Sequence, residues 1–258
     1  ARDPARPHPV GEQNGVLLME ILSDTLAWFS DSANWTGDDG IPARVLEHIW
    51  LTIVPILIAV VVAVPPALYL AHRRKGAFFA NALVNIGRAI PSFGVIIIAG
   101  LFFVRQGVSL RFWPVVVALV ALAIPPIFTN AYTAIAGVDP AMTEAARGMG
   151  LSEREVLVDV EMPIGANVLL AGIRIALVQV VATVTIGAII SSGGGLGRYI
   201  VDGFARGPAG HAEVFAGAIL LGILTLAAEG AFTLLERLVL PPGVQHLTRE
   251  ATPTGAAA

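Results

Sequence analysis

The stretch Ile49–Ala71 reads IWLTIVPILIAVVVAVPPALYLA and holds no acidic side chain and no Lys or Arg. A helix of about 20 mostly apolar residues crosses the roughly 30 Å hydrocarbon core of a bilayer. Glu47 precedes this stretch, and the basic run HRRK at 72–75 follows it, so charge marks both of its ends. The stretch therefore predicts a transmembrane helix and a membrane protein fold.

Composition extends this interpretation to the whole chain. Of its 258 residues, 55% are hydrophobic and 14% are charged, with a mean hydropathy of +0.76. A soluble domain has about 25% charged residues. This deficit argues against a disordered chain, a nucleic-acid-binding protein and an ordinary soluble enzyme, and it predicts a lipid bilayer as the main surroundings. The absence of cysteine excludes disulfides and thiolate sites.

Four more apolar stretches follow the first. The five predicted spans cover about 49–71, 81–104, 112–138, 164–192 and 214–235. Three of them contain one internal charge each, namely Arg88, Arg174 and Glu229. A pair between Glu229 and one of the two arginines is a hypothesis that would lower the cost of these charges. The fold class predicted is an all-α membrane protein with about five transmembrane helices.

The remaining sequence divides around these spans. Residues 1–45 form an extracytoplasmic lead that contains an amphipathic helix over Val16–Phe29, residues 46–240 form the transmembrane domain, and residues 241–258 form a cytoplasmic tail. Five spans place the two termini on opposite sides. The basic run after the first span is expected to be cytoplasmic, which places the N-terminus outside and the C-terminus inside. Counted over all segments outside the spans, that run included, each side holds seven Lys and Arg, so the orientation rests on the tight clustering of the run.

The segment 139–163, DPAMTEAARGMGLSEREVLVDVEMP, differs from the other connections. Asp139 before Pro140 is typical of a helix start, with an Asp N-cap and a Pro in the first helical position. Gly148 and Gly150 suit the end of that helix. The sequence therefore predicts a short helix of its own outside the membrane.

A second helix is predicted within the same segment. Ser152 and Glu155 have the spacing of a capping box, and Pro163 is expected to end this helix before the next span. Ordinary connections are about 4–6 residues long, whereas this one is far longer and holds six of the 19 acidic residues. A plain polar connector is the alternative, but a docking element for a soluble partner explains the segment better.

The segment also resembles the EAA loop of ABC importer permeases. It matches that pattern in spacing, with Val160 and Met162 as conservative replacements. In that family the loop forms a coupling helix that docks into a cleft of the ATP-hydrolysing subunit. The resemblance implies a type I ABC importer permease bundle. It assigns ATPase coupling to Glu144, Ala145, Ala146, Gly150 and Pro163.

Further stretches resemble one subgroup, the osmoprotectant permeases for glycine betaine, carnitine, choline and proline. They are Ala89–Phe93, Asn130–Ile135, Ala171–Arg174 and Gly193–Gly197. Arg88 departs from the Gln that the subgroup often has. A permease for an amino acid such as methionine is the alternative within the family. An ion-gradient-driven transporter that uses the intramembrane charges is the alternative from a different class.

The resemblance also selects candidate site residues. The possible pathway or gating residues are Pro91, Ser92, Phe93, Tyr132, Arg88, Arg174 and Glu229. Aromatic rings can hold a quaternary amine, although single aromatic residues more often pack in a core. Gly193, Gly194, Gly195 and Gly197 are expected to form either a flexible outer turn that meets a binding protein or a simple glycine-rich turn. They lack the Gly-Lys-Ser/Thr ending of a phosphate loop.

The resemblance implies that the chain works with partner proteins and does not itself catalyse a reaction. No ATP-binding motif occurs in the sequence, so the chain is not expected to be an enzyme, and ATP and Mg would be bound by a partner ATPase. The five His residues have no metal-ligand spacing. The partners implied are two ATP-binding subunits, a second permease chain that is identical or paralogous, and an extracytoplasmic substrate-binding protein. The location implied is the bacterial plasma (inner) membrane.

Overall fold

The computed structural model is all-helical over the residues that it describes. These are 10–89, 91–107, 112–191 and 193–240, and the side chains of residues 10–17, 84, 86, 88, 89 and 92 lie outside that description. The helices are α1 (Val10–Ser30), α2 (Ile41–His72), α3 (Ala77–Ala89), α4 (Ser92–Arg105), α5 (Trp113–Ala136), α6 (Pro140–Gly148), α7 (Glu153–Glu155), α8 (Met162–Gly187), α9 (Gly197–Ala205) and α10 (His211–Val239). Short 3₁₀ turns lie at Ser32–Trp35 and Gly207–Gly210, and a π-helical stretch, Val156–Glu161, joins α7 to α8.

Four helical stretches in the described part are long and apolar enough to cross a membrane. They are Ile41–His72, Trp113–Ala136, Glu153–Gly187 and Gly207–Val239, with mean hydropathies of 2.5, 1.9, 2.1 and 2.0. Phe93–Arg105 is a shorter apolar helix. The predicted all-α membrane fold is confirmed, with four full-length helices and a fifth apolar region that is divided.

The divided region is the second predicted span, 81–104. In place of one helix it contains α3 and α4, with Pro91 as the N-cap of α4. Proline offers no N–H, and Pro91 itself has an extended backbone, with φ −71° and ψ 112°, so α4 begins anew after it. By contrast, Pro55, Pro65 and Pro66 remain inside α2.

The core forms where α2 and α8 both pack against α5 and also contact each other. Ala59, Ala63, Ala67 and Ala71 repeat every fourth residue of α2 and are each at most 1% exposed. Such a row lies on one side of a helix, and small side chains allow helix backbones to approach closely in a membrane. This row therefore explains why α2 sits tightly in the bundle.

The lead and the last helices pack together at one end of the bundle. α9 folds back against α10, where Gly217 lies beside Tyr199. The predicted amphipathic helix is present as α1, begins at Val10 rather than Val16, and packs against α10. Trp28 meets Tyr199 edge to face at 5.2 Å. Residues 1–9 and the predicted tail, 241–258, lie outside the described residues.

Candidate functional site

The first helix of the segment 139–163, called the coupling segment below, begins and ends as its sequence predicts. The Asp139 carboxylate accepts a hydrogen bond from the Ala141 N–H at 2.9 Å. At the other end Gly150 has φ +95°; its N–H donates to Arg147 O, and the next N–H donates to Ala146 O. These two bonds form a Schellman motif. α6 is thus a closed, self-capped unit.

The second helix has the predicted capping box but not the predicted end. Ser152 and Glu155 exchange side-chain and backbone hydrogen bonds. The expectation that Pro163 ends this helix is wrong, because the helix continues through it into α8. Pro163 has no N–H to donate to the carbonyl four residues earlier, and the Met162 N–H reaches Leu157 O, five residues earlier. The widened π turn accommodates the proline.

α6 presents one surface outward and one inward. Glu144 and Ala145 are exposed, whereas Thr143 and Ala146 are 3% and 2% exposed. Two large apolar side chains, Met142 at 48% and Met149 at 75% exposure, extend the outward surface. An exposed helix surface of this kind is suited to docking against another protein.

The inward side of the coupling segment is fixed to α2 by charge. His72, the last residue of α2, has its Nδ1 2.6 Å from Oε2 of Glu161 and its Nε2 3.0 Å from Oε2 of Glu153. Glu161 is only 1% exposed. Glu153 is also held by Arg147, at 2.9 and 3.1 Å. The sequence analysis missed this cluster, because His72 and Glu161 lie 89 positions apart.

A second contact fixes the start of the coupling segment to α2. Arg74 has φ +52° and donates to Ala136 O at 2.8 Å and to Val138 O at 3.1 Å. The last carbonyls of a helix lack partners within that helix and attract positive charge. The basic run that indicates membrane orientation in the sequence therefore also caps α5.

At the opposite end of α2 lies the glycine loop at 193–197, called the outer loop below. Its glycines are all buried. Gly195 N–H donates to Glu47 at 3.2 Å, and the next N–H donates to Nδ1 of His48 at 3.3 Å. Nε2 of His48 contacts Val181 O at 3.0 Å. The structure thus has a packed loop where the sequence favours a flexible turn.

Arg174 and Glu229, two of the three predicted intramembrane charges, belong to one network. Arg174 Nε lies 3.2 Å from Oε1 of Glu229, and its Nη2 reaches Glu236 at 2.8 Å and the Thr233 hydroxyl at 2.6 Å. The hypothesis that Glu229 pairs with one of the arginines is therefore confirmed for Arg174. The side chain of Arg88 lies outside the described part, and its backbone belongs to α3.

The other pathway candidates do not gather into one site. Pro91 bends the chain between α3 and α4, Phe93 is 43% exposed, and Tyr132 packs against the core. The backbone of Ser92 begins α4, and its side chain lies outside the described part. Phe128, another aromatic residue in the spans, is 3% exposed and packs edge to face on Phe79.

A cavity of mixed polarity lies elsewhere, between α3, α5 and α8. Its volume is about 270 Å³, and it is lined by Gly87, Leu122, Pro125, Pro126, Thr129, Asn130, Ile175 and Gln179. The Thr129 hydroxyl and the Asn130 amide donate back to the carbonyls four residues earlier. The lining therefore combines two side-chain amides with apolar and proline side chains.

These features can be compared with those of known proteins. The family model described as "Binding-protein-dependent transport system inner membrane component" matches residues 55–241, which include the coupling segment, the cavity and the outer loop. The chain belongs to this family. It is therefore a multi-pass inner membrane protein and a non-catalytic subunit of an ABC transporter, and its partners are an ATPase and a binding protein.

The similar proteins include several osmoprotectant permeases. The choline transport system permease protein OpuBB of Bacillus subtilis is 32% identical over 79% of this chain and 90% of its own length. The glycine betaine/carnitine/choline transport system permease protein OpuCB of the same organism is 31% identical over 78% and 89%. The osmoprotectant import permease protein OsmW of Salmonella typhimurium is 25% identical over 86% and 100%.

Among solved structures, the inward-facing MetNI methionine ABC transporter is similar to this chain. The match has a TM-score of 0.66 and 25% identity, and it covers 78% of this chain and 96% of the other. The resemblance that the sequence analysis drew to osmoprotectant permeases is confirmed at the level of the family. Identity near 30% leaves the substrate to be proposed.

Proposed function

We propose that this permease forms the pathway of an ATP-driven importer for a compatible solute of the glycine betaine, choline, carnitine or proline type. Two permease chains, identical or paralogous, lie side by side with the pathway at their interface. The N-terminus and the outer loop face outward, where a loaded binding protein docks. The C-terminus and the coupling segment face the cytoplasm.

The observation that carries this proposal is the self-capped, outward-facing surface of α6. Glu144, Ala145 and the two exposed methionines beside them form a small docking surface on a helix whose ends are both closed. An exposed apolar patch bordered by charge is typical of an interaction site. The occupant proposed is the ATP-binding subunit.

Energy enters through that surface. Two ATP-binding subunits hold ATP and Mg, and this chain binds neither. When they close on ATP, they draw the two α6 helices together and change the tilt of the spans. This is a rigid-body alternation between two states, in which ATP favours one of them.

The cavity between α3, α5 and α8 supports a small solute that has both apolar and polar groups. Sites for such solutes are lined mostly by apolar side chains, with a few polar groups that fix the orientation. Asn130 and Gln179 supply side-chain amides there. Weak contacts of this kind suit a pathway, in which the solute must also leave.

A methionine permease is the second candidate, because the structural match is to a methionine transporter. The ion-gradient alternative uses Arg174 and Glu229 as working groups, but these two charges already compensate each other. Both alternatives make different predictions about substrate and energy source, so one uptake experiment separates the three.

The experiment is uptake into proteoliposomes that hold the complete complex with its binding protein. Radiolabelled choline, glycine betaine, carnitine, proline and methionine are offered with and without ATP, and with an imposed ion gradient. We expect ATP-dependent uptake of one of the first four. Uptake of methionine alone selects the second candidate, and uptake driven by the gradient without ATP refutes the importer.

The docking role is tested by reversing the charge on α6. Glu144→Lys should abolish uptake and substrate-stimulated ATPase activity, while the protein still inserts into the membrane. Asp38→Lys is the matched control, because Asp38 is an exposed acid near the opposite end of the bundle. It should leave the amount of co-purified ATPase unchanged. Full coupled activity of Glu144→Lys contradicts the docking role.

Orientation is tested with single cysteines, since the chain has none of its own. Cysteine replaces Asp38 in one variant and Glu144 in another, and whole cells are treated with a maleimide that does not cross the inner membrane. Labelling of the Asp38 variant and protection of the Glu144 variant support the proposed orientation. The reverse pattern overturns it.

A further inference from the structure

The end of α2 holds the coupling segment at two places. Near its start, Arg74 donates to the carbonyls of residues 136 and 138. Near its end, His72 contacts Glu161 and Glu153. Two side chains, separated by one residue in the sequence, thus reach both ends of a segment of some 25 residues.

The ring of His72 joins two acidic side chains of the coupling segment. Its Nδ1 lies 2.6 Å from Glu161, and its Nε2 lies 3.0 Å from Glu153. Glu161 is 1% exposed, and a buried polar group of this kind requires a hydrogen-bonding partner. Arg147 also holds Glu153, at 2.9 Å. The contact between His72 and Glu161 therefore fastens the end of the segment to the end of α2.

The backbone supports the second contact. Arg74 has φ +52°, a left-handed conformation that L-residues rarely adopt. The neighbouring Arg73 has φ −76° and lies over the ring of Tyr69. The residue with the strained backbone is thus the one whose side chain reaches the end of α5.

We propose that His72 and Arg74 are positioning residues that transmit the movement of the coupling segment into the first span. They fasten both ends of the segment to α2, so that α6 and α2 move as one body when the ATPase closes. α2 is about 48 Å long and is fixed at its other end to the outer loop through Glu47 and His48. A displacement at α6 therefore reaches the surface proposed for the binding protein.

The proposal rests on the proposed function, and the two fail in different ways. If the complete wild-type complex shows no ATP-dependent uptake, the proposed function fails. If the wild type transports and the His72, Glu161 and Arg74 variants take up as much solute for each ATP hydrolysed, only the positioning role of these residues fails. The measured quantity is thus solute taken up per ATP hydrolysed, in liposomes with the complete complex.

The variants are His72→Gln, Glu161→Gln and the double variant, with His211→Gln as the control, because His211 is exposed at the start of α10. Each single variant should lower uptake per ATP at least fivefold while the ATPase still co-purifies. The double variant should lower uptake per ATP no further than the more impaired of the two single variants does. Either change alone already breaks the contact between His72 and Glu161. The proposal is overturned if the losses of the two single variants multiply in the double variant, or if uptake per ATP is unchanged in the single variants.

A second pair of variants guards against misfolding at the buried site. Arg74→Ala should lower uptake per ATP about threefold or more, whereas Arg73→Ala should leave it unchanged. A purely structural defect reduces the number of active complexes and lowers uptake and ATP hydrolysis together, so the ratio of the two stays constant. Equal ratios for the Arg74 and Arg73 variants overturn the proposal even if the His72 variants do not fold.

Discussion

Two glycine turns, at opposite ends of the molecule, use glycine for different reasons. At the outer loop, Gly195 has φ +53°, and a Cβ atom there would lie 2.6 Å from the Cβ of His48. At the coupling segment, Gly150 has φ +95°, with nothing within 4 Å of a Cβ position. Gly195 allows two segments of the chain to approach each other closely, whereas Gly150 only allows a left-handed backbone conformation. The outer loop is fastened, while the coupling turn leaves α6 exposed for a partner.

The largest effect is expected from Gly195→Ala. The added methyl group meets both the side chain and the backbone of His48, and the backbone cannot move aside cheaply. Overpacking costs about 1–3 kcal/mol, and the left-handed conformation adds roughly 1 kcal/mol. The free energy of unfolding should fall by about 3 kcal/mol, measured as thermal unfolding of the purified permease.

The control for that variant is Gly107→Ala. Gly107 has φ +69° and open space around its Cβ position, so it separates conformational strain from overlap. It should cost about 1 kcal/mol. Equal losses for the two variants contradict the view that the outer loop is fixed by close packing.

How well the structure of these two ends could be predicted depends on how far apart in the sequence the interacting residues lie. The caps of α6 and α7 are local, so Asp139, Ser152 and Glu155 indicated them correctly. The stop at Gly150 is local as well. The packing of Gly195 on His48 joins residues 147 positions apart in sequence, and no spacing rule reports it. The same holds for Glu161, which reads as one of several loop acids and is in fact buried against α2.

Proline shows a similar limit. A proline in a transmembrane helix is tolerated when neighbouring groups satisfy the freed carbonyls, so the outcome depends on tertiary contacts. Pro55 and Pro125 remain within their helices, whereas Pro91 divides one. The sequence indicated five apolar regions but could not indicate which of them is divided.

The next largest effect tests whether α10 is fastened as firmly as the outer loop. Arg174→Gln leaves Glu229 and Glu236 without their common cation. Removing one partner of a buried ion pair costs 3–5 kcal/mol, and the half-buried setting of Arg174 reduces the expected loss to about 2 kcal/mol. Thermal unfolding in detergent measures it. Arg105→Gln, at the exposed end of α4, controls for the loss of a positive charge.

A double-variant cycle with Glu229→Gln identifies the source of that loss. Because Arg174 and Glu229 are in contact, their combined loss should be smaller than the sum of the separate losses. Strictly additive losses show that the pair contributes nothing to stability, and they also weaken the view that α8 and α10 move together.

A smaller effect is expected at the coupling turn itself. Gly150→Ala should cost only about 1 kcal/mol, since its Cβ has open space. The change should loosen the Schellman motif and lower substrate-stimulated ATPase activity more than it lowers the unfolding temperature. A loss of stability as large as that of Gly195→Ala contradicts the difference between the two turns.

The smallest effect concerns the contact between α9 and the lead. Tyr199 donates from its hydroxyl to Asp39 O at 2.7 Å. The pKa of Tyr199 is raised to about 12, mainly by burial, while Arg44 lowers the pKa and Glu213 and Asp39 raise it to a smaller extent. The neutral phenol is therefore the form that the fold favours. Tyr199→Phe removes one neutral hydrogen bond and should cost about 1 kcal/mol.

The direction of the pKa shift predicts the pH dependence of that loss. A folded-state pKa of about 12, above the ordinary value of 10.0, means that the stabilisation by Tyr199 is complete below about pH 10 and declines as the pH rises toward 12. The difference in unfolding temperature between wild type and Tyr199→Phe should therefore be constant at neutral pH and shrink only in strong alkali. A difference that stays constant as the pH rises from 10 to 12 would mean that the hydroxyl keeps its ordinary pKa of 10.0 and lies in water, and the outer end would then be no more firmly packed than the coupling turn.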